Sequence, residues 1–215
     1  MKYVLILFLI SSVFSEAQEK NRFQNEVEGI QKKYDTIWDA SKETVVFTGS
    51  SSIRIWKELP KLFPNHQIVN TGFGASHSTD LLIFNKELIL NYNPYQVFIY
   101  EGDNDISSGR NPYKIIKNIR KIVAEIWTHN PNVEIVLISA KPSLTRWSLK
   151  RKYKRFNRKL KKLTKRKTSL YFADVWNPML NGKEINKNLF IKDGLHMNAK
   201  GYEIWYSVIK PFVIN

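Results

Sequence analysis

Two short runs contain the residues whose types and spacing could do chemistry: Gly49-Ser50-Ser51-Ser52, and Asp193-Gly194-Leu195-His196 near the other end of the chain. A serine hydroxyl becomes a nucleophile when an imidazole takes its proton and a third group fixes the tautomer of that imidazole. The chain has four histidines: His66, His77, His129 and His196. His66 precedes a strand-like run, and His129 closes a helix-like run beside Asn130-Pro131, so both belong to the wrong ends of their elements. His196 has a carboxylate three residues before it, and one turn can bring both side chains to the same place. It is the better base. His77, in the loop after a short apolar run, competes as a substrate contact. The serine turn has a plainer use as well, since Ser51 or Ser52 could simply cap the segment Ile53–Leu59.

Several other chemistries are excluded by what the chain lacks. It has no cysteine, which removes a thiol nucleophile, a cysteine zinc site and thiol-linked lipid. Gly72-x-Gly74 is too short for a dinucleotide fingerprint, and no Gly-x4-Gly-Lys phosphate loop occurs. Asp103, Asp105 and Ser107 lack the glycine and the distant glutamate of a calcium loop. No metal site or cofactor fingerprint of these kinds is therefore expected.

The elements that must position these residues follow from periodicity. Runs at Thr44–Thr48, Gln67–Asn70, Gln96–Tyr100, Val133–Ala140 and Leu170–Ala173 read as strands. Helical patterns cover Glu19–Lys42, Thr79–Leu90, Pro112–His129, Ser148–Thr168 and Asn198–Ile209. Five strands separated by helices predict a parallel sheet covered on both faces, an α/β class. Ligands bind such sheets at the carboxyl ends of the strands. The polar segments there are Gly49–Ser52, Thr71–Ser76, Glu101–Asp105, Lys141–Ser143 and, through a longer loop, Asp193–His196.

In order along the chain, VVFTGSSSIRIW, NTGFGAS, YEGDND and DGLHMNAKGYEIW resemble the signature blocks of the SGNH/GDSL hydrolase family. A fifth segment, ISAKPSLTRW, resembles a subgroup whose first block reads Gly-Ser-Ser-Ser in place of Gly-Asp-Ser. The resemblance implies a three-layer α/β/α sandwich of flavodoxin-like type with a five-stranded parallel sheet, and cofactor-free hydrolysis of an acyl ester. By position in the blocks it implies Ser51 as nucleophile, with Asp193 and His196 completing a triad. It also implies an oxyanion hole from the Ser51 and Ala75 N–H groups and the Asn104 side chain. Arg146 and Trp147, closing the fifth block, are candidate substrate contacts. Ala75 stands where the family usually has glycine. Alanine supplies the same N–H, so function can survive there if the local φ is negative, although the added methyl could narrow the pocket beside the acyl carbonyl.

The ends and the charge complete the expectation. Met1-Lys2, an apolar run from Tyr3 to Ile10, and small residues at Ser15 and Ala17 form a secretory signal with cleavage after Ala17. Residues 18–215 then make one domain, secreted or periplasmic. Net charge is +15, and the stretch Lys150–Lys167 contains 12 of the 34 basic residues and no acid. Leu149, just before it, and Tyr153, Phe156, Leu160 and Leu163 within it form one apolar stripe. The other faces would attract an acidic polysaccharide or an anionic membrane surface. Nucleic acid is not expected of an exported chain. The sum is a secreted serine esterase acting on a short acyl group of a carbohydrate. The alternatives are a lysophospholipase-type esterase or an acyltransferase on the same site, and, in another class, a non-catalytic module binding acidic polymers.

Overall fold

The computed structural model describes residues 22–165 and 167–213; the signal segment 1–17 lies outside them. Helix α1 covers residues 22–34, followed by β1 (Thr44–Gly49), the short helices α2 (Ser51–Arg54) and α3 (Leu59–Leu62), and β2 (Gln67–Asn70). Then come α4 (Ser78–Ile83), α5 (Asn85–Leu88), β3 (Gln96–Tyr100), α6 (Asp103–Ser107) and α7 (Pro112–His129). The chain ends with β4 (Glu134–Ile138), α8 (Lys150–Thr164), β5 (Leu170–Ala173) and α9 (Ala199–Ile209). A two-stranded hairpin of Leu180–Asn181 and Glu184–Ile185 stands apart from the main sheet.

The main sheet is all parallel, in the order β2-β1-β3-β4-β5. Successive side chains of a strand point to opposite faces, and here both faces are apolar. Val46, Val97, Ile99, Ile135 and Leu137 face one core, shared with α1, α4, α5, α7 and α8. Val45, Phe47, Phe98, Val136 and Ile138 face the other, shared with α2, α3 and α9. Phe47 and Phe98, paired across β1 and β3, stack with ring centroids 4.3 Å apart. This is the three-layer α/β/α sandwich, with the 2-1-3-4-5 order of flavodoxin-like folds.

Three helices differ from their periodicity, each for a packing reason. The lead-in helix stops at residue 34 and not at Lys42. Tyr34 is buried there, accepting the Asn70 N–H at 2.7 Å, and Trp38 donates to Thr44 Oγ1 at 3.0 Å, which turns the chain into β1. The Thr79–Leu90 pattern is interrupted at Phe84, between α4 and α5. Both pieces face one core, so the apolar spacing continues across a break that the buried Asn85 marks by holding Glu125 of α7. The Ser148–Thr168 pattern begins as a 3-10 turn, Trp147–Leu149, because Trp147 stacks against Trp176. Among the described residues no helix is long and apolar enough to cross a membrane.

Candidate active site

Gly49 decides how the first rim turn is built. Its φ is +123°, and a Cβ there would lie 2.0 Å from the Tyr100 carbonyl oxygen. Only glycine lets β1 end that close to β3 and turn at once into α2. Ser51 therefore begins α2 at the carboxyl edge of the central strands, half-buried. The neighbouring loops are tied to this turn by main-chain bonds: Ser50 N–H donates to Tyr100 O at 3.1 Å and Phe73 N–H to Gly49 O at 2.9 Å.

From the far end of the chain, the loop before α9 brings His196 to the same place. Ser51 Oγ lies 2.9 Å from His196 Nε2, and His196 Nδ1 lies 2.6 Å from Asp193 Oδ2. Asp193 Oδ1 also accepts the main-chain N–H groups of Leu195 (2.8 Å) and His196 (2.9 Å), a tight turn that holds carboxylate and imidazole together. Slight burial works against the Asp193 charge. The hydrogen bonds from His196 and Leu195 outweigh it and bring the carboxyl down to about 2. An ionised partner at Nδ1 keeps the proton there and leaves Nε2 as the acceptor facing the hydroxyl. Such a relay can draw a proton from Ser51.

Donors for a developing oxyanion are present on three strand ends. Among the described residues the N–H groups of Ser51 and Ala75 make no hydrogen bond. Asn104 Nδ2 spends one proton on Ser76 O at 2.9 Å and keeps a second. The negative φ that would let alanine sit at this turn without strain is not found: φ at Ala75 is +53°. The tight turn out of β2 needs a left-handed residue at this point, which is why glycine suits it. A non-glycine side chain costs roughly 1–2 kcal/mol in that conformation, partly offset in the glycine variant by unfolded-state entropy. Ala75→Gly should therefore raise stability by about 1 kcal/mol in denaturant unfolding, with turnover of a small ester kept within about tenfold. Unchanged or lower stability would mean that the turn holds alanine without strain.

Behind the donors lies a buried ionic network. Arg146 donates from one nitrogen to Asp103 Oδ1 at 2.7 Å and from another to Asn104 Oδ1 at 3.0 Å. It thus holds the Asn104 carboxamide with its nitrogen turned away, and its contacts are to these side chains and not to the open face of the site. Asp103 also accepts from Tyr100 (2.9 Å) and Tyr153 (2.6 Å). Lys141, wholly buried, sits 3.7 Å from Asp103 Oδ2 and donates to Leu195 O at 2.7 Å, one residue before His196. Burial opposes the Asp103 charge, yet the flanking Lys141 and Arg146 hold its carboxyl below the ordinary range. Burial, with Arg146 close by, also keeps the Lys141 ammonium below its usual value. Beside them Glu101, buried and near Asp105, has its carboxyl pushed well up, and Ser76 Oγ meets it at 2.6 Å.

The other two candidate substrate contacts are His77 and Trp147. His77 Nε2 lies 3.0 Å from Ser108 Oγ, with Asp80 on its other nitrogen at 3.3 Å, next to the Asn104 helix α6. Trp147 is half-buried against Trp176 with Lys150 over its ring, which makes it chiefly a packing residue. Sequence reasoning missed Asp103 and Lys141 as parts of the site. Their only signal was position, one beside Asn104 and the other directly after the fourth strand.

The model of the GDSL-like Lipase/Acylhydrolase family matches residues 29–204. No curated protein matches in sequence. A GDSL-like lipase from Bacteroides thetaiotaomicron is 23% identical with a TM-score of 0.72, covering 85% of this chain and 96% of its own. A lipase/acylhydrolase from Enterococcus faecalis is 18% identical with a TM-score of 0.65, covering 79% and 94%. A carbohydrate esterase family 3 structure from Talaromyces cellulolyticus is 17% identical with a TM-score of 0.65, covering 79% and 95%. At these identities the structural likeness establishes the fold.

Proposed function

Because the chain belongs to the GDSL-like lipase/acylhydrolase family and is an ester hydrolase, we propose that it is an exported serine esterase that removes short acyl groups from a carbohydrate through Ser51, His196 and Asp193. One observation carries the mechanism: the unbroken 2.9 Å and 2.6 Å relay from hydroxyl to imidazole to carboxylate. His196 takes the Ser51 proton as Oγ bonds to the ester carbonyl carbon. Asp193 stabilises the imidazolium that forms. His196 then returns the proton to the departing alkoxide as the carbon–oxygen bond breaks, leaving an acyl-serine. Water, deprotonated by the same imidazole, attacks the acyl carbon; the bond to Ser51 Oγ breaks, His196 returns the proton to that oxygen, and the acid leaves.

The tetrahedral oxyanion is held by the Ser51 and Ala75 N–H groups and the free Asn104 amide proton. Asn104→Ala deletes a donor aimed at developing charge, so kcat should fall about a hundredfold or more. A near-normal kcat on a small acetyl ester would remove Asn104 from the mechanism.

The carbohydrate reading rests on access and on likeness. Asp193 is exposed and His196 half-buried, so the relay lies at an open rim where a bulky sugar can approach. The carbohydrate esterase of like fold supports the same choice. Export rests on the signal segment ending at Ala17 and is checked by N-terminal sequencing of secreted material. The substrate is tested by assaying acetylated sugars, simple acyl esters and lysophospholipids side by side. Acetylated sugars should turn over fastest, and a preference for lysophospholipids would overturn the carbohydrate reading.

A further inference from the structure

Away from the relay, α7 and α8 lie side by side and enclose a groove of about 640 Å³. Its walls carry Lys117 and Arg120 from α7, and Lys159, Lys162, Lys165 and Lys167 from α8 and the residues after it. No acidic residue lines it. Among the described residues none of these six cations lies within ion-pair distance of a carboxylate. Two cationic walls facing one another without counter-charge repel, and an anion between them relieves that repulsion. The pairs Lys117/Arg120 and Lys159/Lys162 are each three residues apart. On a helix that is about 4.5 Å of rise, so each wall presents charge at regular intervals along the groove.

We propose that this groove binds an anionic polysaccharide, a glycan chain whose carboxylate or sulfate groups meet the two rows of cations in turn. The shape argues against a membrane surface, because a flat bilayer cannot reach cations on both walls of a concavity. The described surface also offers little to insert: Tyr113 is the only large exposed apolar side chain at the groove, the others being Ile37 and Ile191 elsewhere. Single-stranded nucleic acid binds largely by stacking its bases on open aromatic faces. The ring of Tyr113 has Lys159 Nζ seated 3.5 Å over its centre, so that face is taken. Lys159 and Arg155 beside Tyr113 also lower the pKa of its hydroxyl, a further mark of positive potential here. The groove begins at Tyr113 in the first turn of α7, and the helix α6 that carries Asn104 immediately precedes it in the chain. A polymer held there lies on the flank below the rim, so the same glycan can be retained while its acyl groups are processed. The binding itself does not depend on the esterase reading.

The test uses the full mature chain, polygalacturonate and heparin as carboxylated and sulfated probes, phosphatidylglycerol vesicles, and an oligothymidylate. Two triple variants are compared. Lys117→Gln, Lys159→Gln and Lys162→Gln strip the groove. Lys154→Gln, Arg158→Gln and Lys161→Gln remove the same charge from the other flank of α8, where Asp174 is present. One or both polysaccharides should bind the wild type and be released by added salt, which screens charges beyond about 8–10 Å. The groove variant should bind at least about tenfold more weakly, and the flank variant much less affected. Equal losses in the two variants would reduce the effect to net charge and overturn the groove. So would no binding of either polysaccharide, or tighter binding of vesicles or oligothymidylate. Turnover of a small neutral acetyl ester, measured on the same samples, reports that the variants are folded and tests the esterase reading separately.

Discussion

Ser51→Ala should lower turnover of a small acetyl ester by on the order of 10⁴-fold or more, the loss seen when one member of a nucleophile–base unit is removed. It should also abolish labelling by a fluorophosphonate, because the phosphorus is attacked by the same oxygen that lies 2.9 Å from His196 Nε2. The fold should be unaffected, since the Ser51 side chain is half-buried and its hydrogen bond is to the imidazole alone. Mass spectrometry of the labelled wild-type protein identifies the residue. A label found on Ser52, or one persisting in the alanine variant, would refute the nucleophile. The pH dependence has a definite sign at Asp193. Its carboxyl is depressed to about 2, so its contact with His196 is complete above the ordinary aspartate range and is lost only as pH falls through about 2. Any loss of activity at milder acidity must therefore come from another group.

The second large effect is expected at Asp103, which touches none of the reacting atoms. Asp103→Ala removes the acceptor for Arg146, Tyr100 and Tyr153 and the counter-charge of Lys141. Lys141 has no exposed surface, and breaking a buried pair from one side typically costs about 3–5 kcal/mol. Denaturant unfolding should show a loss of that order, and a loss within about 1 kcal/mol would mean that the network contributes little. Because the Asp103 carboxyl is held below its unfolded value, its stabilisation is present above about pH 4 and fades as pH falls through the lower folded value. Asp103→Asn, which keeps the shape, should lack that acid-side fading. In the same variant kcat should fall with little change in KM, because Arg146 loses an anchor and holds Asn104 less well. A purely structural Asp103 would leave kcat of the folded asparagine variant untouched.

Much of this molecule was legible in the chain before any folding. The boundaries of β2, β3, β5 and α7 follow from apolar runs ended by turn residues, because period and punctuation are local properties. The pairing of Asp193 with His196 was legible for the same reason: two residues three positions apart in one tight turn can share a place. What the sequence left open depended on contacts between distant segments. Ala75 is a residue with an ordinary preference for negative φ, and only the bonded loops of β1 and β2 force it to +53°. Arg146 read as a hand reaching for substrate. Packing turned it inward, because Asp103, 43 residues away, lies buried within reach and must be neutralised. Lys141, after the fourth strand, joins Asp103 at the third strand end to the His196 loop 54 residues further on, a link that no spacing can announce. The basic run of α8 was plain from composition, whereas Lys117 and Arg120 of α7 joined it only when the two helices packed and made one face into a groove. Local chemistry was written residue by residue, and burial decided which charges had to find each other.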